Sequence, residues 1–86
     1  MLKQEFIIDN PLGLHARPAG VLVKVAQKFG CDVTLQHKKN HNAKSILAIM
    51  SANIKSGETI TIICDGDDEA EAIKAVGEAI ESGLGE

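Results

Sequence analysis

The sequence predicts an α+β fold: an open-faced β-sandwich in the order βαββαβα, in which a four-stranded, mostly antiparallel sheet carries three helices on one face. Three observations lead there. Short segments such as "CDVTLQH" and "TITIIC" alternate apolar and polar residues or are dense in β-branched ones, the signature of strands. Longer segments, 16–29 and 69–84, repeat their apolar residues at helical spacing, so each predicted helix has one apolar stripe. Such stripes need a common partner, and an antiparallel sheet with one covered face supplies it. The 86 residues suit a single domain, residues 1–86. A chain of that size buries roughly 60–65% of the surface it would expose unfolded.

In chain order, "LKQEFII" is the first strand, with Leu2, Gln4, Phe6 and Ile8 on one face, and Asn10-Pro11 breaks it. The first helix runs from Ala16 to Phe29, burying Ala19, Leu22, Val23, Ala26 and Phe29, with Gly30 as the residue that ends it. "CDVTLQH" is the second strand. "KKN" turns the chain into a weak third strand, "HNA". Ser45 is a good N-cap for a short helix, "ILAIMSAN", which Asn53 can end in a left-handed conformation. After the turn "KSGE", "TITIIC" forms the fourth strand. Asp68 with Glu71 resembles a capping box. Ala70, Ile73, Val76, Gly77, Ile80 and Leu84 then trace the stripe of a last helix, in which Gly77 costs about 1 kcal/mol relative to alanine.

Composition narrows the function. A net charge of −3 and only two aromatics, Phe6 and Phe29, argue against nucleic acid as a direct partner, because neither a basic footprint nor a stacking platform is present. No segment approaches the length of a membrane span or a signal-peptide core, so the expectation is a cytoplasmic protein without membrane insertion. Cys31 and Cys64 fall in strand-like segments and are expected to be half-buried thiols rather than a disulfide.

The unusual stretch is "NPLGLHARPAG". Helix starts favour Ser, Thr, Asp or Asn, yet here His15 stands at the N-cap, before Ala16, Arg17 and Pro18. Proline is tolerated in a first turn because its missing N–H would have had no helical partner. The free donors are then the N–H groups of Ala16 and Arg17, at the positive end of the helix dipole, where a phosphate is favoured. Neutral imidazole offers an unprotonated nitrogen near pH 7 and can form a covalent intermediate. A phosphoryl group on His15 would meet those N–H groups, and Arg17 would add a charge-assisted hydrogen bond. A solvated histidine is the commoner meaning of a lone histidine near a turn. The coincidence of turn, nucleophile, cation and helix start favours chemistry, and breaks of a local rule are expected at functional sites.

"GLHARPA" together with the later "NAKSI" resembles the histidine-containing phosphocarrier family, HPr, of the bacterial phosphoenolpyruvate-dependent sugar phosphotransferase system. The likeness covers essentially the whole chain and includes a "GLGE" ending similar to Gram-positive-type members. It implies that His15 takes a phosphoryl group on Nδ1 from phosphorylated Enzyme I and passes it to EIIA components of sugar permeases, with Arg17 as the matching arginine. It also implies a carrier rather than an enzyme, needing no cofactor and working as a monomer. Ser45 matches a serine phosphorylated by an ATP-dependent HPr kinase/phosphorylase in carbon catabolite repression, which brings in a catabolite-control transcription factor. Gly20, Lys24, Gln27, Ile46, Leu47 and Met50 match partner-docking positions. Three departures stand out: the segment "HKKNH" is one residue short and lacks Asn-Gly, Leu47 replaces a frequent methionine, and Gly20 replaces a more usual alanine or threonine.

Other classes explain less. His37 and His41 are four apart, but zinc needs three or four converging ligands and no Cys-x-x-Cys motif is present. A purely regulatory HPr-like protein is the second alternative; the resemblance implies loss of the histidine in that group, whereas His15 and Arg17 are both present. The nitrogen-related branch of the family fits "NAKSI" less well. A generic α+β ligand-binding domain leaves "HARP" without a reason.

Overall fold

A computed structural model describes all residues, Met1–Glu86. Four strands and three helices follow in the predicted order: β1 (Leu2–Ile7), α1 (Ala16–Ala26), β2 (Asp32–His37), β3 (Lys39–Asn42), α2 (Ile46–Ser51), β4 (Thr59–Asp65) and α3 (Glu69–Glu81). The sheet order is β1-β4-β2-β3, and every pairing is antiparallel rather than most of them. Register aligns the apolar rows: Phe6 faces Ile60, Leu35 faces Ile62, and Val33 faces Cys64. These residues pack with Leu22, Val23 and Ala26 of α1, Ile49 of α2, and Ala72, Val76 and Ile80 of α3 in one core.

The helices cover the sheet unevenly, and this corrects the reading of the first strand. Phe6 and Ile8 are buried, but Leu2 and Gln4 share their face and lie exposed. Alternation reports which face a residue occupies, not how far the covering layer extends. Helix α1 also stops at Ala26, short of Phe29. Lys28 and Phe29 donate to carbonyls three residues back, at 3.1 and 3.3 Å, which tightens the end of the helix. Gly30 is not in the left-handed region; its N–H and that of Cys31 donate to the Asp68 carboxylate at 2.8 and 2.9 Å.

That contact also removes the capping box. Asp68 occupies the N-cap position of α3 but makes no side-chain cap bond, because both its oxygens reach across to the start of β2. Glu69, not Glu71, accepts from the Gly66 N–H at 3.1 Å. Ala70 is exposed and Ala72 takes its place in the stripe, while Leu84 is buried beyond the end of the helix at φ 51°. Gly77 is more than a tolerated cost: a Cβ there would lie 2.9 Å from Cζ of Phe6. The missing side chain lets α3 settle onto the ring.

The turn between β2 and β3 is tighter than "KKN". His37 pairs with Lys39, so Lys38 alone makes the reversal, at φ 64°, and β3 begins two residues earlier than the predicted "HNA". The shortness of this segment is thus absorbed by one left-handed lysine. In α2 the local reading holds: Ser45 Oγ accepts from the Ala48 N–H at 3.2 Å, and Asn53 is left-handed at φ 51°. Both cysteines are fully buried free thiols, and Cys31 precedes β2 rather than lying in it. Burial is the main force that pushes the Cys31 thiol up to about 12, so it stays protonated and unreactive. No helix is long and apolar enough to cross a membrane.

Candidate functional site

The loop from Asn10 to Leu14 sets His15 in place. Gly13 adopts φ +69°, and a Cβ there would fall 2.2 Å from the carbonyl oxygen of Ile54. Only glycine serves where a positive φ and so close a backbone approach coincide. Its N–H donates to the Asn10 carbonyl at 2.8 Å, and the next N–H, of Leu14, donates to Ile54 O at 3.0 Å. Leu14 is itself buried, so the residue before His15 is anchored both by side chain and by backbone.

His15 is the N-cap of α1, with extended backbone at φ −79°, ψ −172°, and its carbonyl accepts the Ala19 N–H at 3.0 Å. Its imidazole makes no cap bond to the helix. Pro18 has no N–H, and those of Ala16 and Arg17 have no partner in the chain. The first turn therefore presents unused donors beside a side chain that a conventional cap would have turned inward.

The imidazole is held instead by a residue distant in the sequence. Its Nε2 lies 2.9 Å from Oε2 of Glu86, with a third of the histidine side chain still exposed. Oε1 of Glu86 accepts from Asn10 Nδ2 at 2.9 Å, and the same Nδ2 donates to the Gly83 carbonyl at 2.9 Å. Asn10 is the one buried polar residue of the protein. Its hydrogen bond is the main reason the Glu86 carboxyl is held below its usual range; the hydrogen bond and charge of His15 and the charge of Arg17 act in the same direction, against the opposing effect of partial burial.

The structure thus gathers His15, Ala16 and Arg17 at one helix end, with Asn10 and Glu86 added. Those two were missed in the sequence. Asn10 reads in the sequence only as a strand breaker, and "GLGE" only as a likeness to Gram-positive-type members, with nothing to say which residues that segment approaches. Ser45 lies apart, at the start of α2. Gly20 on α1 and Gln27, the residue that caps its C-terminal end, face that region: a Cβ on Gly20 would sit 3.8 Å from Ile46 Cδ1, and Gln27 Nε2 donates to the Lys44 carbonyl at 3.0 Å. The replacement of alanine by glycine at position 20 is therefore sterically neutral. Ile46, Leu47 and Met50 are exposed, Leu47 at 81%, because α2 buries only Ile49. Lys24 points to solvent.

His37 ends the interior strand β2, and His41 lies on the edge strand β3. His37 Nε2 approaches Glu58 Oε1 at 3.4 Å, while His41 stands opposite Leu35 in the β2–β3 ladder. No group of three or more ligand-type side chains converges there or elsewhere in the chain.

Comparison with known proteins settles the family. The family described as the PTS HPr component phosphorylation site matches residues 2–82. This chain belongs to the HPr family. It is a phosphocarrier protein, not a catalytic enzyme. It is similar to the phosphocarrier protein HPr of Mycoplasma capricolum, at 47% identity over 77 residues, covering 88% of this chain and 86% of that protein. Among solved structures it resembles HPr of Thermoanaerobacter tengcongensis at 44% identity and a TM-score of 0.95, covering 100% of this chain and 98% of the other. It also resembles Crh, a catabolite-repression protein of Bacillus subtilis whose structure is a swapped dimer, at 36% identity and a TM-score of 0.76, covering 96% and 97% of the two chains. The four-stranded open sheet with three helices in the order βαββαβα is the fold of these HPr structures.

Proposed function

We propose that this single-domain chain carries phosphoryl groups in the cytoplasmic, sugar-linked branch of the phosphotransferase system, accepting on Nδ1 of His15 from phospho-Enzyme I and donating to EIIA components. The observation that carries this reading is the helix start itself: an N-cap histidine that does not cap, followed by two N–H groups, of Ala16 and Arg17, that nothing in the chain uses. A neutral imidazole nitrogen forms the new N–P bond as the donor's bond to phosphorus breaks. The dianion is then stabilised by the two N–H groups, the helix dipole and the Arg17 guanidinium. The family's carrier role supports the same assignment.

Ser45 is the regulatory acceptor in this reading, phosphorylated by an HPr kinase/phosphorylase. Its oxygen already faces the free N–H end of α2, so added negative charge is compatible with the helix. Docking uses Gly20 and Lys24 on α1 and Gln27 at its C-cap, with Ile46, Leu47 and Met50 on α2. Exposure of the last three, in a helix that buries only Ile49, supports a surface kept apolar for partners. Phosphate on Ser45 places charge inside that surface, weakening the encounter with Enzyme I and marking the protein for a catabolite-control transcription factor. The working form is a monomer.

The test is intact-protein mass spectrometry after incubation with phosphoenolpyruvate and Enzyme I. One acid-labile phosphoryl group on wild type and none on His15→Ala is the expected result. Failure of wild type to accept phosphate, with ATP-dependent modification at Ser45, would move the protein to a purely regulatory role.

A further inference from the structure

We infer that Asn10 is a positioning residue for phosphoryl transfer, acting through Glu86 to fix which nitrogen of His15 is free to react. The inference rests on the carrier reading above. Asn10 is only 5% exposed, the sole buried polar residue, and neither the nucleophile nor the phosphate-binding groups account for its being there. A buried amide is retained when its hydrogen bonds are made. Both bonds of its Nδ2 point to one end: the Gly83 carbonyl and Oε1 of Glu86, each at 2.9 Å. The chain between these two acceptors turns through three consecutive left-handed residues, Gly83 at 95°, Leu84 at 51° and Gly85 at 85°. Leu84 is buried, which secures the turn. Asn10 thereby fixes the carboxylate, whose other oxygen lies 2.9 Å from His15 Nε2.

The consequence follows from what a carboxylate can do. An ionised Glu86 only accepts hydrogen bonds, so the His15 nitrogen beside it must carry the proton. In the neutral ring the remaining nitrogen, Nδ1, is then bare. The lone pair on Nδ1 attacks phosphorus as the donor's bond to it breaks with its electron pair, and the proton stays on Nε2. The ring thus becomes an imidazolium, whose charge the adjacent carboxylate balances. This is the same division of labour by which an aspartate orients a histidine base in hydrolases, here applied to a histidine nucleophile. His15 reacts; Asn10 and Glu86 decide how it is presented.

The test uses full-length protein with ¹⁵N-labelled histidine. Ring ¹⁵N shifts, measured above the histidine titration without any phosphoryl donor, report the tautomer directly. Wild type is expected to show a single form protonated on Nε2, and Glu86→Ala a mixture of both tautomers. Asn10→Ala should shift the ring toward that mixture. Phosphorylation by Enzyme I should slow about tenfold in Glu86→Ala, the size expected for one charge-assisted hydrogen bond, and the double variant should lose no more than Glu86→Ala alone. The Glu86 side chain makes no bond beyond Asn10 and His15, so its variant decides the matter even if Asn10→Ala impairs folding. An unchanged tautomer in Glu86→Ala, or losses that add in the double variant, would overturn the inference. Should wild type accept no phosphate while the tautomer still responds to Glu86→Ala, the carrier reading fails and the positioning contact stands.

Discussion

Replacing Gly77 by alanine sets local propensity against packing. Alanine in a helix interior is favoured over glycine by about 1 kcal/mol, and on that ground the variant should be more stable. The packing says otherwise. The new methyl would sit 2.9 Å from Cζ and 3.1 Å from Cε1 of Phe6, a ring that is 6% exposed and fixed between α3 and the sheet. Forcing an extra methyl into a packed core typically costs about 1–3 kcal/mol. The difference of the two effects is a net loss of about 1 kcal/mol, which for a domain of this size lowers Tm by roughly 4–8 °C. Thermal unfolding followed by circular dichroism measures it, and Phe6→Leu supplies the control. With the ring tip gone, Gly77→Ala should recover the helical gain and become stabilising by about 1 kcal/mol, giving a coupling of about 2 kcal/mol in the double-mutant cycle. A higher Tm for Gly77→Ala in the wild-type background, or no coupling to Phe6, would refute the packing argument.

Lys38→Gly should stabilise by about 0.5–1 kcal/mol, because a lysine at φ 64° gives up conformational energy that glycine does not; a lowered urea midpoint would contradict this. Ser45→Ala should cost about 1 kcal/mol by losing the bond to the Ala48 N–H, whereas Ser45→Asp keeps a capping oxygen and most of the stability. The same Ser45→Asp protein should accept phosphate from Enzyme I more slowly, and a wild-type rate would count against the regulatory reading. Acid should weaken the fold through Asp68, Glu58 and Glu86, whose carboxyls are held below their usual values chiefly by hydrogen bonds to the Gly30 N–H, the Lys55 N–H and the Asn10 amide. A depressed folded-state pKa gives stability that is present above the unfolded value and lost as pH falls through the folded one. The urea midpoint should therefore be flat near neutrality and drop below about pH 4, with a shallower drop in Asp68→Asn; a midpoint insensitive to acid would remove these contacts from the account.

What the sequence revealed was what local chemistry determines. Periodicity, β-branched density, and turn and cap chemistry together found all seven elements in order, Ser45 capped its helix, Asn53 turned left-handed, and the mismatch between His15 and the usual caps pointed to the start of α1. What it hid depends on partners distant in the chain. Asp68 obeys every local rule for a cap, yet its oxygens serve Gly30 and Cys31, and no reading of "DDEAE" contains that competition. Gly77 looked like a cost because Phe6, the reason for it, lies in the first strand. Asn10 and Glu86 were unreadable for the same reason: their meaning is a contact closed by tertiary structure across nearly the whole chain. The Lys38 turn was hidden differently, since lysine carries no preference for the left-handed region and only the strand register forces it there.

The carrier account is tested most directly by nuclear magnetic resonance of the ¹⁵N-labelled protein before and after phosphorylation by Enzyme I and phosphoenolpyruvate. The account predicts a phosphoryl group on Nδ1 of His15, together with large shifts of the Ala16 and Arg17 amide protons as they take up hydrogen bonds to phosphate. Phosphorylation of Nε2, or amides at the start of α1 that do not move, would contradict it.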